Sequence, residues 1–247
     1  YSGDGKNPLV LNIATKITQA GGKVLKISLE MLETEMHKTL VCSTSGISDF
    51  KNITQSEFEK LIKTSKSLSE TLPLKFINEG EVTIEKIAAI CKSEKNLQLV
   101  IIDHLHILRS EKRFKDQLAL LTYLSRKVKI IAQELNVPIL LLSQLNRSNA
   151  GRDVKSPILS DLRGSGSIEQ DSNLVIFVYC PENQLLQQEP NQGTKKHDEW
   201  EEELEQVRGK AKIIVVKNRR GRTGIYEMKF DKERSLFIDN GGNDGQF

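Results

Sequence analysis

Two short apolar runs limit the fold of this 247-residue chain more than any other part of its sequence. They are Leu97–Ile102 (LQLVII) and Pro138–Ser143 (PILLLS). Short runs as apolar as these are typical of strands buried on both faces of a parallel sheet, whereas a half-exposed strand alternates apolar with polar residues. Helices have to cover both faces of such a sheet. The two runs therefore predict an α/β protein.

Helical patterns stand between the strand patterns, as the connections between parallel strands require. The spacing predicts helices at Leu9–Ala20, from about Leu32, at Asn52–Ser69, at Thr83–Lys92 and at Lys115–Leu135. Further strands are expected at Lys23–Leu29, Leu74–Ile77, Asn173–Tyr179 and Lys212–Lys217. This alternation predicts a three-layer sandwich with a mostly parallel central sheet. In the helix at Asn52–Ser69, the expected core face is Phe58, Leu61, Ile62 and Leu68.

One large domain accounts for the length of the chain. We expect a single domain over residues 1–247, interrupted by a polar insertion at about 182–208 with a helix around Trp200–Val207. Between Pro181 and Glu205 eight acidic residues stand against two lysines, while the whole chain has a net charge of +3. The remainder is therefore basic. A basic body is compatible with nucleic-acid binding, although many other proteins have one.

Composition argues against several other classes of protein. No apolar run approaches the roughly 18 residues of a membrane-spanning helix, so no membrane partner is expected. Cys42, Cys91 and Cys180 lie far apart, without a CxxC motif or a nearby set of histidines. This spacing disfavours a structural zinc site or a disulfide framework, and a reducing cytosol is the expected compartment.

The first seven residues, YSGDGKN, contain the second half of a phosphate-binding pattern. Gly3 and Gly5 would let backbone N–H groups approach phosphates, and Lys6 would add a positive charge. The next residue is Asn7, where such loops carry a Ser or Thr whose hydroxyl binds Mg²⁺. Taken alone, the pattern fits a flexible tail equally well. The loop's first glycine would precede Tyr1, so we expect the chain to be an excerpt that begins inside this loop.

Polar side chains follow the predicted strands at the edge where ligands bind in this architecture. Asp103 ends one strand and would orient Mg²⁺ or its water, and Glu30 ends a neighbouring strand and could activate a water as general base. Gln144 follows PILLLS, and its amide could sense a γ-phosphate. Each acid alone could equally be a helix cap or a solvated strand end. Two acids near a GxGK pattern favour a catalytic site.

Five stretches, in this order along the chain, are similar to motifs of the DnaB replicative helicases. They are ISLEM (27–31), VIIDHLHIL (100–108), SQLNRS (143–148), PILSDLRGSGSIEQDSNLVIFVY (157–179) and VVKNRRGRTG (215–224). The resemblance implies a RecA-like core that forms a homohexameric ring and hydrolyses ATP, with Mg²⁺, at subunit boundaries. It further implies 5′-to-3′ movement on single-stranded DNA and unwinding of the duplex at the replication fork. The implied partners are a helicase loader and a primase, and the implied location is the cytoplasm, in association with the nucleoid.

The resemblance also implies roles for individual residues. Lys6 would hold the β- and γ-phosphates with the Gly3–Asn7 loop, and Glu30 would be the catalytic base. Asp103 would act on the Mg²⁺ side, and Gln144 would couple the γ-phosphate to the DNA loops. Lys217 and Arg219, in KNRRG, would be basic fingers that reach into the next subunit's ATP site, because a guanidinium stabilises charge on a transferring phosphoryl group.

Arg163, Gly164, Ser165 and Gly166 match the family's DNA-facing loop, where small residues let backbone N–H groups approach phosphates without reading the bases. His104 and His106 stand where Tyr and Gln are usual, and we interpret them as packing or surface changes rather than metal ligands. Two alternatives stay open. Asn7 is compatible with a catalytically weakened ring subunit or a DNA-binding scaffold. Another RecA-fold ATPase, acting in recombination or signalling, fits the SDLRGSGSIEQD stretch less well.

Overall fold

A computed structural model describes residues 5–48, 52–71, 73–77, 82–145, 156–162 and 165–239. Its helices are α1 (Lys6–Gln19), α2 (Glu33–Ser45), α3 (Gln55–Thr71), α4 (Ile84–Ser93), α5 (Gln117–Leu135), α6 (Ser165–Asp171), α7 (Pro181–Leu185) and α8 (Lys195–Val207). Its strands are β1 (Lys23–Ser28), β2 (Leu74–Ile77), β3 (Leu97–Asp103), β4 (Ile139–Leu141), β5 (Leu174–Tyr179), β6 (Lys210–Asn218), β7 (Gly224–Asp231) and β8 (Leu236–Asp239).

The first four strands form the parallel sheet that the apolar runs predict, in the order β2-β1-β3-β4. Leu25 and Ile27 of β1 pack with residues of α4 and α5, whereas Val24 packs with Val10 and Ala14 of α1. Alternate residues of one strand therefore contact helices on opposite faces of the sheet. The predicted three-layer α/β fold is confirmed.

Helix α1 begins earlier than the expected start at Leu9. Pro8 lies in its first turn, where a missing backbone N–H costs nothing because these N–H groups have no partner within the helix. The helix stops at the predicted place, since Gly21 follows with a φ of 85°.

Helix α3 buries only part of its expected core face. Leu61 and Leu68 are buried in a cluster with residues of α2, as predicted. Phe58 and Ile62 are 48% and 56% exposed, so their assignment to the core was wrong. A helix on the surface of a domain buries one stripe of side chains, and the residues beside that stripe stay exposed.

A second sheet follows, with the antiparallel order β5-β6-β7-β8. The predicted strands at Asn173–Tyr179 and Lys212–Lys217 are confirmed as strands but do not extend the parallel sheet. The turn between Asn218 and Gly224 is too short to join parallel strands, so β6 and β7 run antiparallel. Asn12 of α1 fixes this sheet beside the first, because its Oδ1 accepts from Phe237 N at 2.9 Å and its Nδ2 donates to Ser235 O at 3.2 Å.

The polar insertion is more ordered than expected, because it folds into α7 and α8. Helix α8 begins at Lys195 rather than near Trp200, and the Thr194 hydroxyl accepts from His197 N at its start. The Trp200 Nε1 donates to Leu185 O at 2.8 Å and ties α8 to α7. Within the described ranges, no helix combines the length and the apolar character that crossing a membrane requires.

Candidate active site

The start of α1 has the form of a phosphate-binding turn. Gly5 adopts a left-handed conformation, with φ 81° and ψ 13°. A Cβ at this position would lie 2.9 Å from a Phe237 ring carbon and 3.2 Å from one of Phe230, so only glycine fits. No described side chain caps the helix, and its first N–H groups can therefore bind an anion. Gly3 lies outside the described residues.

The next two residues differ in what they offer to a nucleotide. The Lys6 Nζ lies 3.5 Å from Ser143 O, just beyond β4, so its charge is held at the edge of the parallel sheet. The Asn7 Nδ2 contacts Met31 Sδ at 3.0 Å. The Asn7 Oδ1 is buried and accepts no hydrogen bond from the described residues. Asn7 therefore presents an uncharged amide oxygen where a hydroxyl was expected.

Parallel register brings the other sequence-predicted residues to the same edge. Ser28 at the end of β1 pairs with Asp103 at the end of β3, and Leu29 N donates to Asp103 O at 2.8 Å. Glu30 lies two residues after the end of β1, and Gln144 lies three residues after the end of β4. Since the carboxyl ends of neighbouring parallel strands lie side by side, Glu30, Asp103 and Gln144 lie at one edge of the sheet beside α1. Ligands bind at this edge in parallel α/β sheets, and we call it the crevice.

His104 connects two of these residues, a role that the sequence interpretation missed. It is 6% exposed, so it is not a surface residue. Its Nε2 lies 3.0 Å from Gln144 Nε2 and 3.7 Å from Glu30 Oε2. The Gln144 amide can donate to His104 Nε2 in the tautomer that leaves this nitrogen without a proton. Burial lowers the pKa of His104, and the charge of Lys6 acts in the same direction, against the opposing effects of Glu30 and Asp103.

A second missed residue is Lys26, which lies in the middle of β1. Its side chain is fully buried, and its Nζ lies 3.2 Å from Asp103 Oδ2. Burial lowers the pKa of Lys26, while the charge of Asp103 and its hydrogen bond oppose that effect. A fully buried lysine requires a partner. The signal was present in the sequence, because Lys26 is the one charged residue within the run Val24–Leu29.

The two basic residues of KNRRG lie against α6. The Lys217 Nζ donates to Glu169 O, and an Arg219 guanidinium nitrogen donates to Gln170 O at 2.6 Å. These two contacts hold both basic side chains against the last residues of α6.

Part of the expected DNA-facing loop can be located. Arg163 and Gly164 lie outside the described residues. Ser165 begins α6, and Gly166 is exposed with open space where a Cβ would stand. The role of these four residues therefore stays a prediction.

A different group of metal-ligand types occurs on α8. The ligand atoms of His197, Asp198 and Glu201 lie within 4.8 Å of one another, and both acids are exposed. His197 also lies 3.6 Å from Glu189. Exposed acids beside a histidine on a helix are common on protein surfaces, so this group has no metal assigned to it.

The chain is similar to proteins of one family over almost its whole length. Residues 2–239 match the family described as DnaB-like helicase C terminal domain. A replicative DNA helicase DnaB from Rickettsia felis is 33% identical over 230 residues, covering 90% of this chain and 45% of that protein. The replicative DNA helicase DnaC of Bacillus subtilis is 31% identical over 244 residues, covering 95% and 50%.

Solved structures show the same fold. A DnaB-like replicative helicase, solved in a study of its interactions with primase, superposes with a TM-score of 0.82 at 24% identity. The match covers 97% of this chain and 55% of that one. The chain spans about half the length of the curated relatives it matches.

Proposed function

The chain belongs to the family of DnaB-like helicase C-terminal domains, and from this premise we propose that it is the ATP-driven motor of a replicative DNA helicase. The proposed whole protein is a homohexameric ring that moves 5′-to-3′ on single-stranded DNA and unwinds the duplex at the replication fork. A helicase loader and a primase are its proposed partners, and a primase is named with the related helicase structure. The proposed location is the cytoplasm, in association with the nucleoid.

The observation that carries the proposal is the crevice at the carboxyl edge of the parallel sheet. A left-handed glycine and an uncapped helix start lie on one side of it, and Lys6 projects its charge to the same edge. Glu30 and Gln144 stand opposite, both in contact with His104. An anion-binding turn next to a carboxylate and an amide is what hydrolysis of a phosphoanhydride requires.

The residues fit a nucleoside triphosphate. The close approach of Phe237 admits only glycine at position 5, so the turn has no side chain there, and Lys6 would balance the charge of the phosphates. In the proposed mechanism Glu30 takes a proton from the attacking water as general base. Gln144 detects the γ-phosphate, and its contact with His104 passes a change in position to Glu30.

The residues fit Mg²⁺ less well. Oxygen ligands suit this ion, and Asp103 and Asn7 both offer oxygen. However, the Asp103 carboxylate is already paired with the Lys26 ammonium, and Asn7 supplies an amide in place of a hydroxyl. We therefore propose ATP as the ligand, with Asp103 on the side where Mg²⁺ would bind, and no catalytic step that passes through the metal.

Two further groups of residues have proposed roles, one at a neighbouring subunit's ATP site and one in DNA binding. Lys217 and Arg219, which donate to carbonyl oxygens of α6, are proposed to act at the ATP site of a neighbouring subunit. Arg163, Gly164, Ser165 and Gly166 are the proposed contact to DNA phosphates. Such contacts are independent of base identity, as a motor that passes every sequence requires.

A second candidate function is a catalytically weakened ring subunit or DNA-binding scaffold. The contact between Lys26 and Asp103 favours it, because this pair and Asn7 both alter the side of the site where Mg²⁺ would bind. Mg²⁺-dependent ATPase activity of the full-length protein, alone and with Asn7→Thr, separates the two candidates. A motor turns over ATP and accelerates with the restored hydroxyl, whereas a scaffold has no turnover in either form.

Lys6→Ala tests the nucleotide site itself. It is expected to abolish ATP binding, because Lys6 is the cation placed beside the phosphate-binding turn. Lys16→Ala is the matched control, since Lys16 is an exposed lysine on the same helix. Binding is measured with a fluorescent ATP analogue. Equal affinities for the Lys6 variant and the control would refute the assignment of this turn to ATP.

A further inference from the structure

Lys26 lies in the middle of β1, and its side chain reaches Asp103 at the carboxyl end of β3. In the β1–β3 register Lys26 pairs with Ile101 and Ser28 pairs with Asp103. Because side chains two residues apart in a strand share a face, Lys26 and Asp103 lie on the same face of the sheet. Val24 and Ile101 pack with α1 on this face. The Lys26 ammonium is thus enclosed between the sheet and the phosphate-loop helix.

The contact changes the charge that Asp103 offers to a metal. Both side chains are removed from water, with 0% and 2% exposure, and the Nζ–Oδ2 distance is 3.2 Å. A buried carboxylate that faces an ammonium forms a pair of zero net charge. A divalent cation placed beside Asp103 would also meet the positive charge of Lys26 at short range, where little water screens it.

Asn7 lies at the other half of the same position. Its amide oxygen is uncharged and is buried without a hydrogen bond from the described residues. Like the hydroxyl expected here, it adds no negative charge that could make up for the pairing of Asp103 with Lys26. Hence one of the two side chains next to the metal position is neutralised, and the other carries no charge.

We propose that the Lys26 ammonium replaces the divalent cation as the fixed positive charge beside Asp103, so that this chain binds a nucleoside triphosphate with little dependence on Mg²⁺. The proposal rests on the proposed ATP site. It makes Lys26 a positioning residue, because it acts on the nucleotide site through Asp103.

The test measures ligand binding and is independent of turnover. Affinity for a fluorescent, non-hydrolysable ATP analogue is compared in EDTA and in Mg²⁺, and Mn²⁺ binding to the nucleotide-loaded protein is followed by electron paramagnetic resonance. Wild-type affinity is expected to change less than about tenfold between EDTA and Mg²⁺. In Lys26→Met, release of Asp103 is expected to tighten Mn²⁺ binding by roughly tenfold or more and to make nucleotide binding depend on Mg²⁺.

Two further variants control for indirect effects. Lys23→Met removes the other lysine of β1, which pairs with Glu94 at 2.7 Å at the opposite end of the strand, and should match the wild type. Asp103→Asn added to Lys26→Met should abolish the gain in Mn²⁺ affinity, because the carboxylate is its source. A purely structural lysine would leave the Mn²⁺ affinity of folded Lys26→Met unchanged, and that result overturns the proposal.

The outcomes also separate this proposal from the proposed function. If the analogue binds only with Mg²⁺ in the wild type, the ATP site stands and the role of Lys26 is refuted. If the analogue binds neither in EDTA nor in Mg²⁺, both proposals fail. Should Lys26→Met not fold, the comparison of EDTA with Mg²⁺ in the wild type decides the matter alone.

Discussion

Loss of the Lys26 ammonium should destabilise the fold strongly, because it leaves Asp103 buried without its cation. Removing one partner of a buried ion pair costs about 3–5 kcal/mol in the free energy of unfolding. Both partners here are at most 2% exposed, so water cannot replace the lost contact. For a chain of this length, such a loss lowers the melting temperature by roughly 6–20 °C. We therefore expect Lys26→Met to unfold at a lower urea concentration and a lower temperature than the wild type.

The double variant gives the sharper result. Lys26→Met combined with Asp103→Asn leaves no uncompensated buried charge, so it should recover most of the lost stability. Lys23→Met breaks a partly exposed pair and should cost at most about 1 kcal/mol. Urea unfolding followed by circular dichroism supplies all four free energies. A Lys26→Met protein as stable as Lys23→Met would show that Asp103 does not need the ammonium, and the argument from burial would be refuted.

Three other predictions concern catalysis, assembly and pH. Glu30→Gln should retain ATP binding but lose on the order of 10²-fold in hydrolysis, and normal turnover would place the general base elsewhere. Arg219→Ala subunits mixed with Glu30→Gln subunits should regain ATPase activity that neither variant shows alone. The control variant Arg220→Ala should be active without mixing. Mixed rings that assemble but stay inactive would exclude action across subunits. The hydrogen bond from Lys23 lowers the pKa of Glu94, so its stabilising effect is present at neutral pH and is lost as pH falls through the folded-state pKa. In Glu94→Gln, the free energy of unfolding measured in urea should fall less as the pH is lowered. An unchanged dependence of that free energy on pH would refute the stabilising role of Glu94.

The parallel sheet could be predicted from the sequence because its strands carry their own signal. Leu97–Ile102 and Pro138–Ser143 are apolar enough to require burial on both faces, and strands at both places lie in the sheet. The polar residues at the strand ends followed from the same argument. Parallel strands align their carboxyl ends, so Glu30, Asp103 and Gln144 had to lie near one another once the strands were identified.

The direction of β5 and β6 could not be predicted in this way. An apolar pattern indicates that a strand is buried but not which strand it pairs with. The sequences of β7 and β8 have mixed patterns and did not predict strands. The exposure of Phe58 and Ile62 has a similar cause. Helical spacing identified a face, while the width of the buried stripe depended on how α2 and its neighbours pack against α3.

Sequence alone determined the family, the parallel sheet and the candidate site residues at its edge, since these depend on local patterns and on motifs in a fixed order. Only the tertiary structure showed that Lys26 contacts Asp103 and that His104 contacts both Gln144 and Glu30. Lys26 and Asp103 are separated by 77 positions in the sequence, and His104 and Gln144 by 40. Strand register and burial decide such meetings, because they place a side chain on one face and remove the water that would otherwise solvate its charge.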